Sequence, residues 1–148
     1  MALDARLLRM NGPLAASDQW RPDRCSIAMA LDVIGTKSAM LLLREAFYGT
    51  TRFDAFVRRV GITEAVAAQR LKELVEVGVL EKRPYREQGQ RTRHEYVLTE
   101  KGNALLPVII GLMQWGDTYL QADGGPLRVV STETGEPVSV RICRSDAE

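Results

Sequence analysis

Cysteine and histidine are almost missing from this sequence: 148 residues hold Cys25, Cys143 and a single histidine, His94. Two thiols cannot form the disulfide framework of a small secreted domain, and a reducing compartment, the cytoplasm, is the expected setting. One imidazole without a ligand-spaced partner, and no Cys-x-x-Cys, leave no metal site to expect, so His94 reads as a structural residue. A phosphate-cradling glycine loop and a nucleophile elbow are absent as well. A thiol enzyme built on Cys25 would have only His94 as its base. Neither catalysis nor a cofactor is expected. Long apolar runs are also lacking. The longest, Leu105 to Met113, is about half a membrane span and contains Pro107 and Gly111. The first twenty residues scatter acids and arginines and lack the apolar stretch of about 7–15 residues that marks a signal peptide. No membrane partner is expected. An excess of one charge is missing too, since 20 Lys and Arg face 19 Asp and Glu. Only the location of charge can then point to a partner.

What is present is the mixture of a globular domain, 45% hydrophobic and 26% charged, at a length suited to one domain. Residues 1–21 have no sustained periodicity and read as a flexible arm, docked at most through Leu7, Leu8 or Trp20. From Cys25 the pattern becomes helical. Ile27, Ala30, Leu31 and Ile34 form the stripe of an amphipathic helix that Gly35 stops. Thr36 caps a second helix, Lys37 to Tyr48, apolar over most of its girth and therefore buried on several sides. Thr51 is positioned to cap a short third helix carrying Phe53, Phe56, Val57 and Val60, with Asp54 completing a capping box. Gly61 breaks it, and Thr63 caps a fourth helix whose inward stripe is Ala67, Leu71, Leu74 and Val75. Two short helices joined by a glycine-containing turn form a helix-turn-helix.

Two strands follow, Val79 to Arg83 and Arg93 to Leu98, around a polar loop with the single glycine Gly89. A hairpin at this place is a wing. The expected fold is mainly α with a small β-hairpin (α+β), a winged helix-turn-helix. Thr99 opens a long last helix to about Gln121, apolar on more than one face, so that part of it requires another surface. Beyond residue 122, Leu127 to Ser131 and Pro137 to Ile142 could pair around Glu133-Thr134-Gly135-Glu136. The domain reading is thus an arm, 1–21; a winged core with its dimerisation helix, 22–122; and a C-terminal extension, 123–148.

An ordered series of residues resembles the HxlR family of bacterial winged helix-turn-helix regulators. It runs through Cys25-Ser26-Ile27, Ala30-Leu31-Asp32-Val33-Ile34-Gly35 and Lys37. It continues with Gly49, Arg52-Phe53-Asp54, Gly61-Ile62, Arg70-Leu71-Lys72-Glu73-Leu74 and Gly78. Pro84-Tyr85, Glu95-Tyr96, Leu98-Thr99, Gly102, Leu105, Pro107 and Trp115 complete it. No single element is specific, but the order is. Ser38 departs from the pattern, where the family usually has tryptophan. The resemblance implies a homodimeric DNA-binding transcriptional regulator. Some members respond to electrophiles or oxidants through a cysteine at the place of Cys25.

Charge location agrees with DNA as partner. Residues 36–98 hold twelve Lys or Arg against eight Asp or Glu, while residues 99–148 hold four against seven. The basic half is the winged core. Turning about 100° per residue from the inward stripe leaves Ala65, Gln69, Lys72 and Glu76 outward on the fourth helix, with Ala68 at the edge. Gln69 suits an adenine edge, Lys72 a guanine or phosphate, and the two alanine methyls the thymine methyl. Thr63 and Arg52 are candidate phosphate contacts, and Arg86, Arg91 and Arg93 suit a narrow minor groove. For the dimer, Leu105, Ile109, Leu112, Met113 and Trp115 are the candidates, helped by the first helix or the arm. Cys25 opens the first helix, where free N–H groups, Arg21 and Arg24 favour an anionic sulfur and Asp23 opposes it. It is therefore a candidate redox sensor, with Cys143 as a conceivable resolving thiol; burial beside Ile27 is the other reading. The expected protein is a repressor that occludes polymerase on a pseudo-palindromic operator and answers an oxidant or small-molecule effector. The alternative is a winged-helix protein-interaction module without DNA binding, which an apolar fourth-helix face or a wing without arginines would have favoured.

Overall fold

The computed structural model describes residues 8–13, 15 and 21–143. Leu7 and Trp20 lie outside them, and Leu8 is exposed. A 3-10 turn, Pro22–Arg24, leads into α1 (Ser26–Ile34), α2 (Lys37–Phe47), α3 (Phe53–Val60) and α4 (Glu64–Glu76). The chain continues through β1 (Leu80–Tyr85), β2 (Arg93–Leu98), α5 (Glu100–Asn103) and α6 (Leu106–Tyr119). The two strands pair antiparallel, from Leu80 opposite Leu98 to Tyr85 opposite Arg93. This is a winged helix-turn-helix of α+β class.

Side-chain caps set three of the helix starts. The hydroxyls of Thr36, Thr63 and Thr99 accept the backbone N–H of Ala39, Val66 and Gly102 at 3.2, 3.2 and 3.0 Å, each satisfying one orphan donor of a first turn. The left-handed turn that separates α3 from α4 falls on Gly61, at φ 73°, where a side chain would be strained. The core is layered around Leu42 and Leu43 of α2, Phe56 of α3, and Leu71 and Leu74 of α4, all essentially without solvent contact. Phe56 meets the Tyr96 ring edge to face at 6.4 Å, which ties the helices to the wing.

Three expectations are revised. Arg52, not Thr51, is the N-cap of α3, and no side chain caps that helix. The Thr51 carbonyl instead accepts the Tyr96 N–H at 2.8 Å, and Arg52 bridges to Glu95; pairing with β2 outcompetes the local cap. The long last helix is broken at Ala104 and Leu105 into α5 and α6. Pro107 sits in the first turn of α6, where its missing N–H does no harm and its ring disfavours helix before it. The tail does not form two strands. A single bridge, Val130 to Pro137, survives of the expected hairpin, flanked by the Val138 N–H to Val129 carbonyl bond at 2.9 Å.

Gly102 marks the tightest approach in the winged core. A Cβ there would stand 2.2 Å from the Val79 carbonyl oxygen, and backbone cannot yield as a flexible side chain can. Gly102→Ala will lower the stability by about 1–3 kcal/mol, the usual penalty for overpacking. Urea denaturation measures it, and an unchanged midpoint would contradict this packing.

Candidate nucleic-acid interface

Helix α4 buries Ala67, Leu71 and Leu74 and exposes Ala65, Val66, Ala68, Gln69, Lys72 and Glu76. Its outward face is therefore polar with small methyl groups between. Thr63 uses one lone pair on its own helix, leaving its O–H as a donor. The Gln69 amide donates to Glu73 at 2.7 Å, and Arg70 meets the same carboxylate at 2.7 Å. Those two hydrogen bonds, Gln69 first, hold the Glu73 carboxyl below the ordinary range. To read a base with its full amide, Gln69 has to exchange Glu73 for that base. Lys72 lies 3.7 Å from Glu76, both well exposed, a pairing worth at most about 1 kcal/mol and readily given up.

The wing follows α4 after Gly78 and Val79. Its loop is closed by the Arg86 Nε, which donates to the Gln90 carbonyl at 3.0 Å. Arg91 and Arg93 are exposed, and among the described residues no carboxylate lies within ion-pair distance of either. Arg52 is differently placed. Its guanidinium stacks on the Tyr85 ring at 3.2 Å and lies 3.6 and 3.7 Å from Glu87 and Glu95. It braces the start of α3 against the loop end of the wing and reaches a phosphate only by loosening these contacts.

Two apolar stripes run along α6. Ile109 and Ile110 point into the core, 7% and 5% exposed; Leu105 packs against that core and Met113 is half-buried. Ile109 is therefore spent within the monomer and unavailable to a partner. The outer stripe, at i, i+4, i+7 and i+11, is Val108, Leu112, Trp115 and Tyr119, all exposed, with the two aromatic rings 5.7 Å apart. Helix α1 has an unpartnered face as well: of its stripe only Ile34 is buried, while Ile27 and Leu31 are 72% and 56% exposed. Cys25 is the N-cap of α1, half-buried, and does not pack beneath a buried Ile27; Cys143 is exposed, and both are free thiols.

Sequence reasoning missed one charged cluster. Glu45, at the end of α2, is 3% exposed. It accepts from Arg44 at 2.9 Å, from Thr50 at 3.2 Å and from Arg59 of α3. Burial pushes its carboxyl up, but the hydrogen bonds from Arg59, Arg44 and Thr50 together outweigh burial and hold it below the ordinary value. The adjacent charges of Arg44 and Glu45 inside an otherwise apolar helix were the available signal. His94 is exposed on β2. Among the described residues no group of three His, Cys, Asp or Glu converges to hold a metal ion, and no single helix is long and apolar enough to cross a membrane.

A helix-turn-helix followed at once by an arginine-tipped hairpin defines a winged-helix protein. The profile of the HxlR-like helix-turn-helix family matches residues 33–124, and this chain belongs to that family. It is 41% identical over 118 residues to an uncharacterised HTH-type transcriptional regulator of Mycobacterium bovis, covering 79% of this chain and 73% of the relative. To the HTH-type regulator YdeP of Bacillus subtilis it is 34% identical over 96 residues, 64% of this chain and 73% of the other. The crystal structure of PA1607, a proposed transcription factor, superimposes with a TM-score of 0.73 at 37% identity, over 82% of this chain and 85% of that one. The redox regulator HypR in its reduced form gives a TM-score of 0.58 at 30% identity, over 64% and 92%. The chain is a transcriptional regulator of the helix-turn-helix type.

Proposed function

We propose that this protein binds an inverted-repeat operator as a homodimer, inserting α4 of each protomer into the major groove and the wing arginines alongside, and represses by occluding polymerase. The observation that carries this reading is the outward face of α4. It is polar, capped at its N-terminus by Thr63, and continuous with a hairpin whose Arg91 and Arg93 have no carboxylate partner among the described residues. A surface built to dock a protein would instead be apolar at Gln69 and Lys72. Two-fold symmetry sets the half-sites about 10–10.5 bp apart or a multiple of that. Fluorescence anisotropy on such a duplex tests the face. Gln69→Ala and Lys72→Ala are expected to weaken binding by about 1–3 kcal/mol each, with relaxed discrimination at one base pair where the side chain reads a base edge. Arg91→Ala should weaken binding on every sequence and reduce the salt slope by about one. Wild-type behaviour of all three variants across salt would remove the assignment.

Cys25 is the proposed sensor within this reading. Its sulfur sits at the N-terminus of α1, a helix with an exposed apolar face of its own, and HypR, a structural neighbour, is a redox regulator. Oxidation or alkylation there would displace α1 and shift the two recognition helices off register. Peroxide or a quinone should change the operator affinity of wild type and leave Cys25→Ser unaffected, with thiol reductant reversing the oxidation. Equal responses of both proteins would make Cys25 a structural residue.

A further inference from the structure

Between α2, α6 and the segment that follows α6 lies a cavity of about 500 Å³, within the range of about 300–1,000 Å³ typical of small-molecule sites. Its walls are apolar: Met40 and Leu41 from α2, Ile109 and Met113 from α6, Pro126 and Leu127 from the tail. The tail wall is fastened in place. The Gln114 carboxamide makes both hydrogen bonds of a peptide pair with Val140, its Nε2 donating to the carbonyl at 3.2 Å and its Oε1 accepting the N–H. Gly125 lies flush on Asp117, where a Cβ would stand 2.0 Å from the carboxylate. The tail is thus hydrogen-bonded to α6 at Val140 and packed closely against it at Gly125.

One end of this cavity is polar. Arg44, Arg59, Glu45 and Tyr48 line it. Two guanidiniums there share one carboxylate, which the same hydrogen bonds keep ionised. At that end the two guanidiniums outnumber the carboxylate by one, and Asp117 of α6 brings the charge of the whole lining to balance. Arg44 also has a donor to spare: its Nε is buried with no partner among the described residues, a position that a small rearrangement toward an anion would satisfy.

We propose that this cavity binds a small molecule with an apolar, ring-sized body and a carboxylate, the carboxylate paired with Arg44. Leu112 belongs both to the cavity lining and to the outer stripe of α6. An occupant thereby touches the surface assigned to the dimer, and its effect on operator affinity rests on the function proposed above. Binding itself does not.

Isothermal titration calorimetry on the full chain, without DNA, separates the two, with 2-naphthoate and its neutral counterpart 2-naphthalenemethanol as probes. Naphthoate is expected to bind at least about ten-fold more tightly than the alcohol, the charge-assisted contact being stronger than a neutral one. Arg44→Lys keeps a cation beside Glu45 but loses the fork, and should weaken naphthoate several-fold while leaving the alcohol unchanged. Leu41→Trp fills the cavity and should abolish both, with an unchanged circular dichroism spectrum. Absence of binding, equal affinity for acid and alcohol, or full binding by Leu41→Trp would each overturn the proposal. Naphthoate binding without any change in operator affinity would leave the site standing and remove only its link to DNA.

Discussion

Trp115→Arg will leave the chain folded but monomeric, and its affinity for an inverted-repeat operator will fall by about 10²–10⁴, the usual gain from tethering two binding modules. The fold survives because Trp115 is 57% exposed and belongs to the outer stripe of α6, not to the core. The dimer is expected to fail because the proposed two-fold assembly sets that stripe against its own copy. An arginine there would face its own copy as a like charge, in a proposed surface that would otherwise bury Val108, Leu112 and Tyr119. Each protomer then meets the DNA with one recognition helix and one wing. Sedimentation at micromolar concentration reads the assembly and anisotropy reads the affinity. A Trp115→Arg protein that remains dimeric would move the interface elsewhere, with the exposed stripe of α1 the next surface to test.

Glu45→Ala will be the most damaging single change of charge, lowering stability by about 3 kcal/mol at neutral pH. Removal of one member of a buried ionic cluster strands the others, at a typical penalty of about 3–5 kcal/mol. The lower end applies here because the side chains left behind, Arg44 and Arg59, are 34% and 52% exposed and can recover some water. The pH dependence has a definite sign. The folded-state carboxyl titrates below its ordinary value of 4.5, so its contribution is complete above that value and is lost as pH falls through the folded one. The gap between wild type and Glu45→Ala in urea denaturation should accordingly be constant from about pH 7 down to pH 5 and narrow below pH 4.5. A gap that widens in acid would mean that Glu45 is held neutral in the native state.

The parts of this fold legible in the sequence are those decided locally. Thr36, Thr63 and Thr99 cap the helices their spacing suggests because a hydroxyl one residue before a helix has an orphan N–H within reach whatever lies around it. The inward stripe of α4 was equally plain, since a period of 3.6 residues admits one buried face. Where distant chain segments compete, the sequence misleads. Thr51 has the chemistry of a cap, yet its backbone is claimed by Tyr96, 45 residues further on. Periodicity ran unbroken through Pro107 because proline in a first turn keeps the stripe in phase while the helix before it ends. The stripe of α1 was visible, but not that so little of it faces the monomer's core. The Glu45 cluster depends on Arg59 arriving from α3, and the wall of the cavity on Gln114 finding Val140; neither pairing leaves a periodic trace. The site residues were read from helical phase, which gives the direction of a side chain. Phase is silent about what already holds it, as Glu73 holds Gln69 and Tyr85 holds Arg52.

Sequence-specific recognition of DNA by a symmetric pair of winged helices is the function proposed for this protein. Repeated selection of bound duplexes from a random-sequence library, with the full-length protein at physiological salt, tests it most directly. The expected result is enrichment of an inverted repeat whose half-sites lie about 10–10.5 bp apart or a multiple of that, bound at about 10⁻⁸–10⁻¹¹ M. Enrichment of no sequence at all, with the protein retaining only weak salt-sensitive binding to every duplex, would contradict it.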